Sequence, residues 1–172
     1  MKVIRALLQI IGALALVAFL FIVVWFFLNS PFSPKNASNK NDAVFILNWA
    51  GIDKNQDWKI IESSASARNI TGDHVDYYCI QLQRFDVDKI PLQEEWRHGP
   101  EKDPLLATAV EDAAKWAIYE GSKCFPPPEV ANSSSMKIMF WSVTTHGRYP
   151  AAAKVILYQP ETKRLFYVSY ST

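Results

Sequence analysis

Val75 to Phe85 reads VDYYCIQLQRF. Tyr78, Ile80 and Leu82 fall on one face of this segment; Tyr77, Cys79, Gln81 and Gln83 fall on the other. A period of two, carried by aromatic and branched side chains, predicts a β-strand. One face is apolar and the other mixed, which predicts a sheet covered on one side only.

Working outward from that strand, Pro104 to Glu120 predicts a helix. Asp103 can cap it, and Pro104 suits its first position, where a missing N–H costs nothing. Leu106, Val110, Ala113 and Ala117 repeat at helical spacing, with Leu105, Ala109 and Trp116 widening the stripe. Glu111 and Lys115 stand as an i,i+4 pair, and Gly121 supplies a stop. Beyond the Pro126–Pro128 and Ser133–Ser135 runs, strands are expected over 137–144, 154–158 and 165–170, the last two flanking a hairpin connection at 159–164. Toward the N-terminus, Thr71-Gly72-Asp73 reads as a turn, Trp58 to Ala67 as a strand, and the apolar run Ala43 to Trp49 as another. Strands, one main helix, then strands imply an α+β domain with a mostly antiparallel sheet and one packing helix.

The other dominant feature lies at the start. Ala6 to Leu28 is apolar apart from Gln9 and Gly12 and carries no charge. As a helix it would extend ~35 Å, enough to cross a hydrocarbon core of ~30 Å. The run exceeds the apolar stretch of a cleavable secretory signal, and no small-residue cleavage pattern follows Trp25-Phe26-Phe27-Leu28. A retained signal-anchor is therefore expected. Lys2 and Arg5 precede the span, so the positive-inside rule favours a cytoplasmic N-terminus. The expected organisation is a cytoplasmic basic tail over 1–5, a single-pass transmembrane helix over 6–28, a flexible stalk over 29–42, and one extracytoplasmic domain over 43–172. Its place would be the plasma or inner membrane, with the domain periplasmic or extracellular.

The whole chain carries 18 Lys plus Arg against 17 Asp plus Glu, interspersed rather than blocked. No concentrated basic surface suits nucleic acid. All seven Tyr and five of the six Trp lie beyond the apolar run; that surplus can fill a core or line a binding surface. Cys79 and Cys124 are 45 residues apart, without the close spacing of a zinc knuckle. They can bridge in an oxidising compartment or stay as two buried thiols. Asn36, Asn69 and Asn132 stand in Asn-x-Ser/Thr sequons.

Two loops gather chemistry-bearing residues. In the first, Asp73 and Asp76 flank His74 and could orient it for proton transfer. Asp-His-x-Asp is too weak a pattern to imply a bound metal. In the second, His146 and Arg148 beside Gly147, with Tyr149, could take an anionic group. Trp96, in a charged stretch, could serve a sugar or peptide. No nucleophile elbow or phosphate loop is present, and no cofactor is implied. Two functions remain. One is a membrane-anchored module binding a protein or peptide in the cell envelope, with the layout of an accessory subunit, inhibitor or immunity protein. The alternative is a membrane-anchored hydrolase using His74 and Asp76, with His146 completing the site if the 71–76 and 144–150 loops converge. The absence of a nucleophile motif favours the first.

Overall fold

The computed structural model describes residues 12, 14–22, 40–53, 55–66, 72–89 and 95–172. The chain divides into two units, Met1–Ser33 and Pro34–Thr172. In the first unit, residues 14–22 are helical, and Leu14, Leu16, Val17, Phe19, Leu20, Phe21 and Ile22 are all exposed. Among the described residues no helix is long and apolar enough to cross a membrane. Most of the 6–28 span, its orientation, and the stalk up to residue 39 lie outside the described residues.

The second unit is α+β. Helix α1 (Lys40–Trp49) leads into β1 (Trp58–Ala65) and β2 (His74–Leu82). Next come the short β3 (Arg97–His98), helix α2 (Pro104–Tyr119) and the single turn α3 (Pro128–Ala131). Strands β4 (Lys137–His146), β5 (Tyr149–Gln159) and β6 (Arg164–Ser171) complete it. The six strands form one sheet in the order β1-β2-β6-β5-β4-β3, every pairing antiparallel.

Both faces of this sheet are covered, not one. Val75, Tyr77 and Cys79 of β2, with Val155, Leu157, Phe166 and Val168, pack beneath α2. Tyr78, Ile80 and Leu82, with Ile156, Tyr158, Leu165 and Tyr167, pack beneath α1. Residues alternating along each strand therefore serve two separate cores. The stretch Leu165–Tyr170 of β6 consequently reads as buried throughout. The mixed character of Tyr77, Cys79 and Gln81 had pointed to solvent, yet Tyr77 and Cys79 are buried, and Gln81, near the end of the strand, donates its amide to the Thr162 and Lys163 carbonyls of the β5–β6 turn.

Helix α2 follows the expected pattern. Asp103 accepts hydrogen bonds from the Leu105 and Leu106 amides, Pro104 occupies the first turn, and Gly121 at φ 94° ends it. Ala109, Val110, Ala113, Ala114 and Ala117 form the buried stripe, and these small residues let the helix lie close to the sheet. Lys115 pairs with Asp112 (3.2 Å) rather than with Glu111, which lies near the Asn132 amide.

Ala43 to Trp49 is helix, not strand. Ala43, Ile46, Leu47 and Ala50 are buried at spacings of three, four and seven, so they make one helical stripe. Lys40-Asn41-Asp42, assigned above to the stalk, form the first turn. At Gly51 (φ 71°) the chain reverses, and the Ile52 amide reaches back to the Leu47 carbonyl at 2.8 Å. Cys79 and Cys124 are joined as a disulfide, which ties β2 to the loop after α2.

Candidate functional site

Helix α1 has ten residues and is therefore ~15 Å long. Strands of eight to eleven residues run roughly 27–36 Å. One short helix cannot roof such a sheet, and the uncovered part of its face becomes a cleft of about 420 Å3. Phe45 and Trp49 of α1 form one wall, Tyr78 and Tyr167 the floor, and Asp42, Asp76, Lys154 and Ser169 bring polar groups.

The aromatic side chains make a continuous row. Trp141 stacks on Trp49 with ring centroids 4.7 Å apart and planes at 14°; Trp49 lies 6.0 Å from Tyr167, and Tyr167 lies 6.4 Å from Tyr78. The Tyr78 hydroxyl donates to the Asp42 carboxylate at 3.1 Å. The Lys154 ammonium sits over the Trp49 ring, 5.6 Å from its centroid. Phe45 is 60 % exposed and Trp141 47 % exposed, so the row opens to solvent at the helix side.

Strand register gathers the polar groups. Ser169 on β6 is the Cα partner of Asp76 on β2 and of Lys154 on β5. Three neighbouring strands thus deliver a carboxylate, a hydroxyl and an ammonium in one line across the sheet. His74 stands two residues before Asp76 on the same strand. Its Nε2 is 3.0 Å from the Ser169 hydroxyl and its Nδ1 is 2.9 Å from the Gly72 carbonyl.

The residues named from sequence fall into separate groups. Asp76 lines the cleft, while His74 and the half-buried Asp73 line a separate depression with Ser66 and Ser171, and His74 reaches the cleft through its contact with Ser169. His146, Arg148 and Tyr149 occupy the exposed β4–β5 hairpin, where Gly147 takes φ 65° and Tyr149 is 74 % exposed. Strands β6 and β5 separate β2 from β4, a lateral gap of roughly 14 Å at the usual strand spacing. The hairpin residues do not line the cleft, and the two loops do not make one site. Trp96 is no surface reader. It is 6 % exposed, packs against Phe85, and its indole N–H donates to the Ala50 carbonyl, holding the end of α1.

Ser169, Lys154, Trp49 and Asp42 were not singled out from sequence. A serine within VSYST carries no motif, and its partners come from strands far away in the chain. Among the described residues no group of three or more His, Cys, Asp or Glu is arranged to hold a metal ion. No family model, curated protein or solved structure matches this chain.

Proposed function

We propose that the chain is a single-pass membrane-anchored module whose extracytoplasmic α+β domain binds a segment of a protein partner in the cleft beside α1. The observation that carries this reading is the cleft itself. It is open, walled by aromatic side chains, and edged by charges of both signs. Rigid aromatic surface gives contact area at low entropic cost, while Asp42, Asp76 and Lys154 select among partners. An extended or helical peptide needs such a trough rather than a closed cavity.

Support for the anchor is the uncharged run from Ala6 to Leu28 and the outward-facing apolar side chains at 14–22. A helix apolar on all sides finds its favourable surroundings in lipid. A disulfide between Cys79 and Cys124 suits an oxidising compartment outside the cytosol.

Two measurements test the reading. Protease added to intact spheroplasts should degrade the C-terminal domain; complete protection would overturn the orientation. The full chain in vesicles should select peptides from a displayed library, and Phe45→Ala should weaken the selected binders about tenfold. Binding indifferent to both Phe45→Ala and Trp141→Ala would remove the cleft from the interaction.

A further inference from the structure

We infer that Ser169 and His74 form a nucleophile–base pair, giving the cleft a carboxylic-ester hydrolase activity. The assignment needs no partner protein and no membrane, so it stands apart from the binding reading. It begins with the tautomer. A carbonyl oxygen only accepts, so the 2.9 Å contact between His74 Nδ1 and the Gly72 carbonyl places a proton on Nδ1. In the neutral imidazole Nε2 is then an acceptor, and the hydroxyl of Ser169, 3.0 Å away, donates to it. A serine aimed at the free nitrogen of a histidine whose other nitrogen is held is the arrangement that nucleophilic acyl transfer requires.

The surroundings fit the chemistry. Ser169 is 4 % exposed as a residue but lines the cleft, so its hydroxyl sits in a largely desolvated place with access from one side. Lys154, the Cα partner of Ser169 on β5, lines the same cleft and holds its ammonium over the Trp49 ring, so the site carries a cation to offset developing negative charge. Asp76 and Asp42 outnumber Lys154 around the opening, which disfavours anionic substrates. The substrate class is a neutral or cationic ester with an aromatic or short aliphatic flank, seated against Phe45, Trp49 and Tyr167.

In the reaction the Ser169 Oγ lone pair attacks the acyl carbon, and the hydroxyl proton passes to Nε2. Collapse of the adduct breaks the bond to the leaving oxygen, which departs as an alcohol carrying that proton. Water then attacks the acyl-serine and gives a proton to Nε2. Release of the carboxylic acid returns that proton to Oγ. A backbone carbonyl rather than a carboxylate backs the imidazole, so the imidazolium is less stabilised than in a full triad. That suits esters with good leaving groups rather than amides.

The test uses the full-length chain in detergent micelles. A fluorophosphonate should form a covalent adduct that peptide mapping locates at Ser169, and 4-nitrophenyl butyrate should be hydrolysed. Ser169→Ala and His74→Gln should each lower that rate by ~100-fold or more, with circular dichroism unchanged, while Glu129→Gln, at an exposed position of α3, keeps the wild-type rate. A wild-type chain with no adduct at Ser169 overturns the inference, and so does a folded Ser169→Ala protein hydrolysing at the wild-type rate.

Discussion

The Cys124 amide donates to the Glu62 carboxylate at 2.8 Å, and Glu62 is the strand partner of Cys79, to which Cys124 is bonded. The same carboxylate accepts from the Ser122 hydroxyl (2.9 Å) and the Lys123 amide (3.1 Å). One edge-strand side chain thus satisfies the amides of the loop that the disulfide pins. Glu62→Gln keeps the shape but loses the charge that strengthens these bonds. It should cost about 1–3 kcal/mol in urea unfolding; an unchanged midpoint would mean the disulfide alone positions the loop.

The disulfide closes a 45-residue segment that contains β3 and α2. On the chain-entropy relation, removing it releases about 4 kcal/mol of constraint on the unfolded chain. Cys79→Ala/Cys124→Ala should melt well below the wild type. Reductant should lower the wild-type melting temperature and leave the double variant unmoved.

Tyr170 is 1 % exposed, and among the described residues its hydroxyl has no hydrogen-bond partner. Burial, with a smaller contribution from the Asp112 charge, pushes its phenol well above the usual range. A buried unsatisfied hydroxyl is a cost, so Tyr170→Phe should leave stability unchanged or raise it by up to ~2 kcal/mol. A loss of stability would reveal a partner for that oxygen.

Glu101 gives the domain an acid-sensitive contact. Burial opposes its ionisation, but the Asp103 amide, the Arg97 guanidinium and the Lys102 amide outweigh it and hold the carboxyl below its ordinary range. Its folded-state pKa is depressed, so its stabilisation is complete above the unfolded value of about 4.3 and fades as pH falls through the lower folded value. Glu101→Gln should therefore be less stable than wild type at pH 7, with the gap closing below about pH 4. A gap independent of pH would place the effect in packing rather than charge.

How much of this was legible in the sequence depends on whether a pattern had one structural meaning. VDYYCIQL did, because alternation with β-branched and aromatic residues fits a strand, although the strand stops at Leu82 and Gln83–Phe85 leave it. Asp103-Pro104 and Gly121 also did, since cap, first turn and stop agree. Ala43–Trp49 did not: a continuous apolar run suits strand or helix, and only the 43, 46, 47, 50 spacing followed by Gly51 separates them. Trp96 misled because polar neighbours suggested exposure, whereas its indole fits the end of α1. At the candidate site His74 and Asp76 were readable as polar residues where a turn enters the strand. Ser169 and Lys154 were not, since their proximity arises from pairing of β2, β6 and β5 over long separations.

That pairing also bears on the order in which the domain assembles. Three pairs, β1–β2, β4–β5 and β5–β6, form from neighbouring stretches of chain, but β1–β2 joins the rest of the sheet only through the pairing of β2 with β6. The keystone of the sheet is the strand made after all the others. During synthesis the earlier pairs must wait with open edges, and joining them is a long-range step of the kind that slows folding. Deleting Arg164–Ser171 would therefore split the sheet into two halves rather than shorten it at a border.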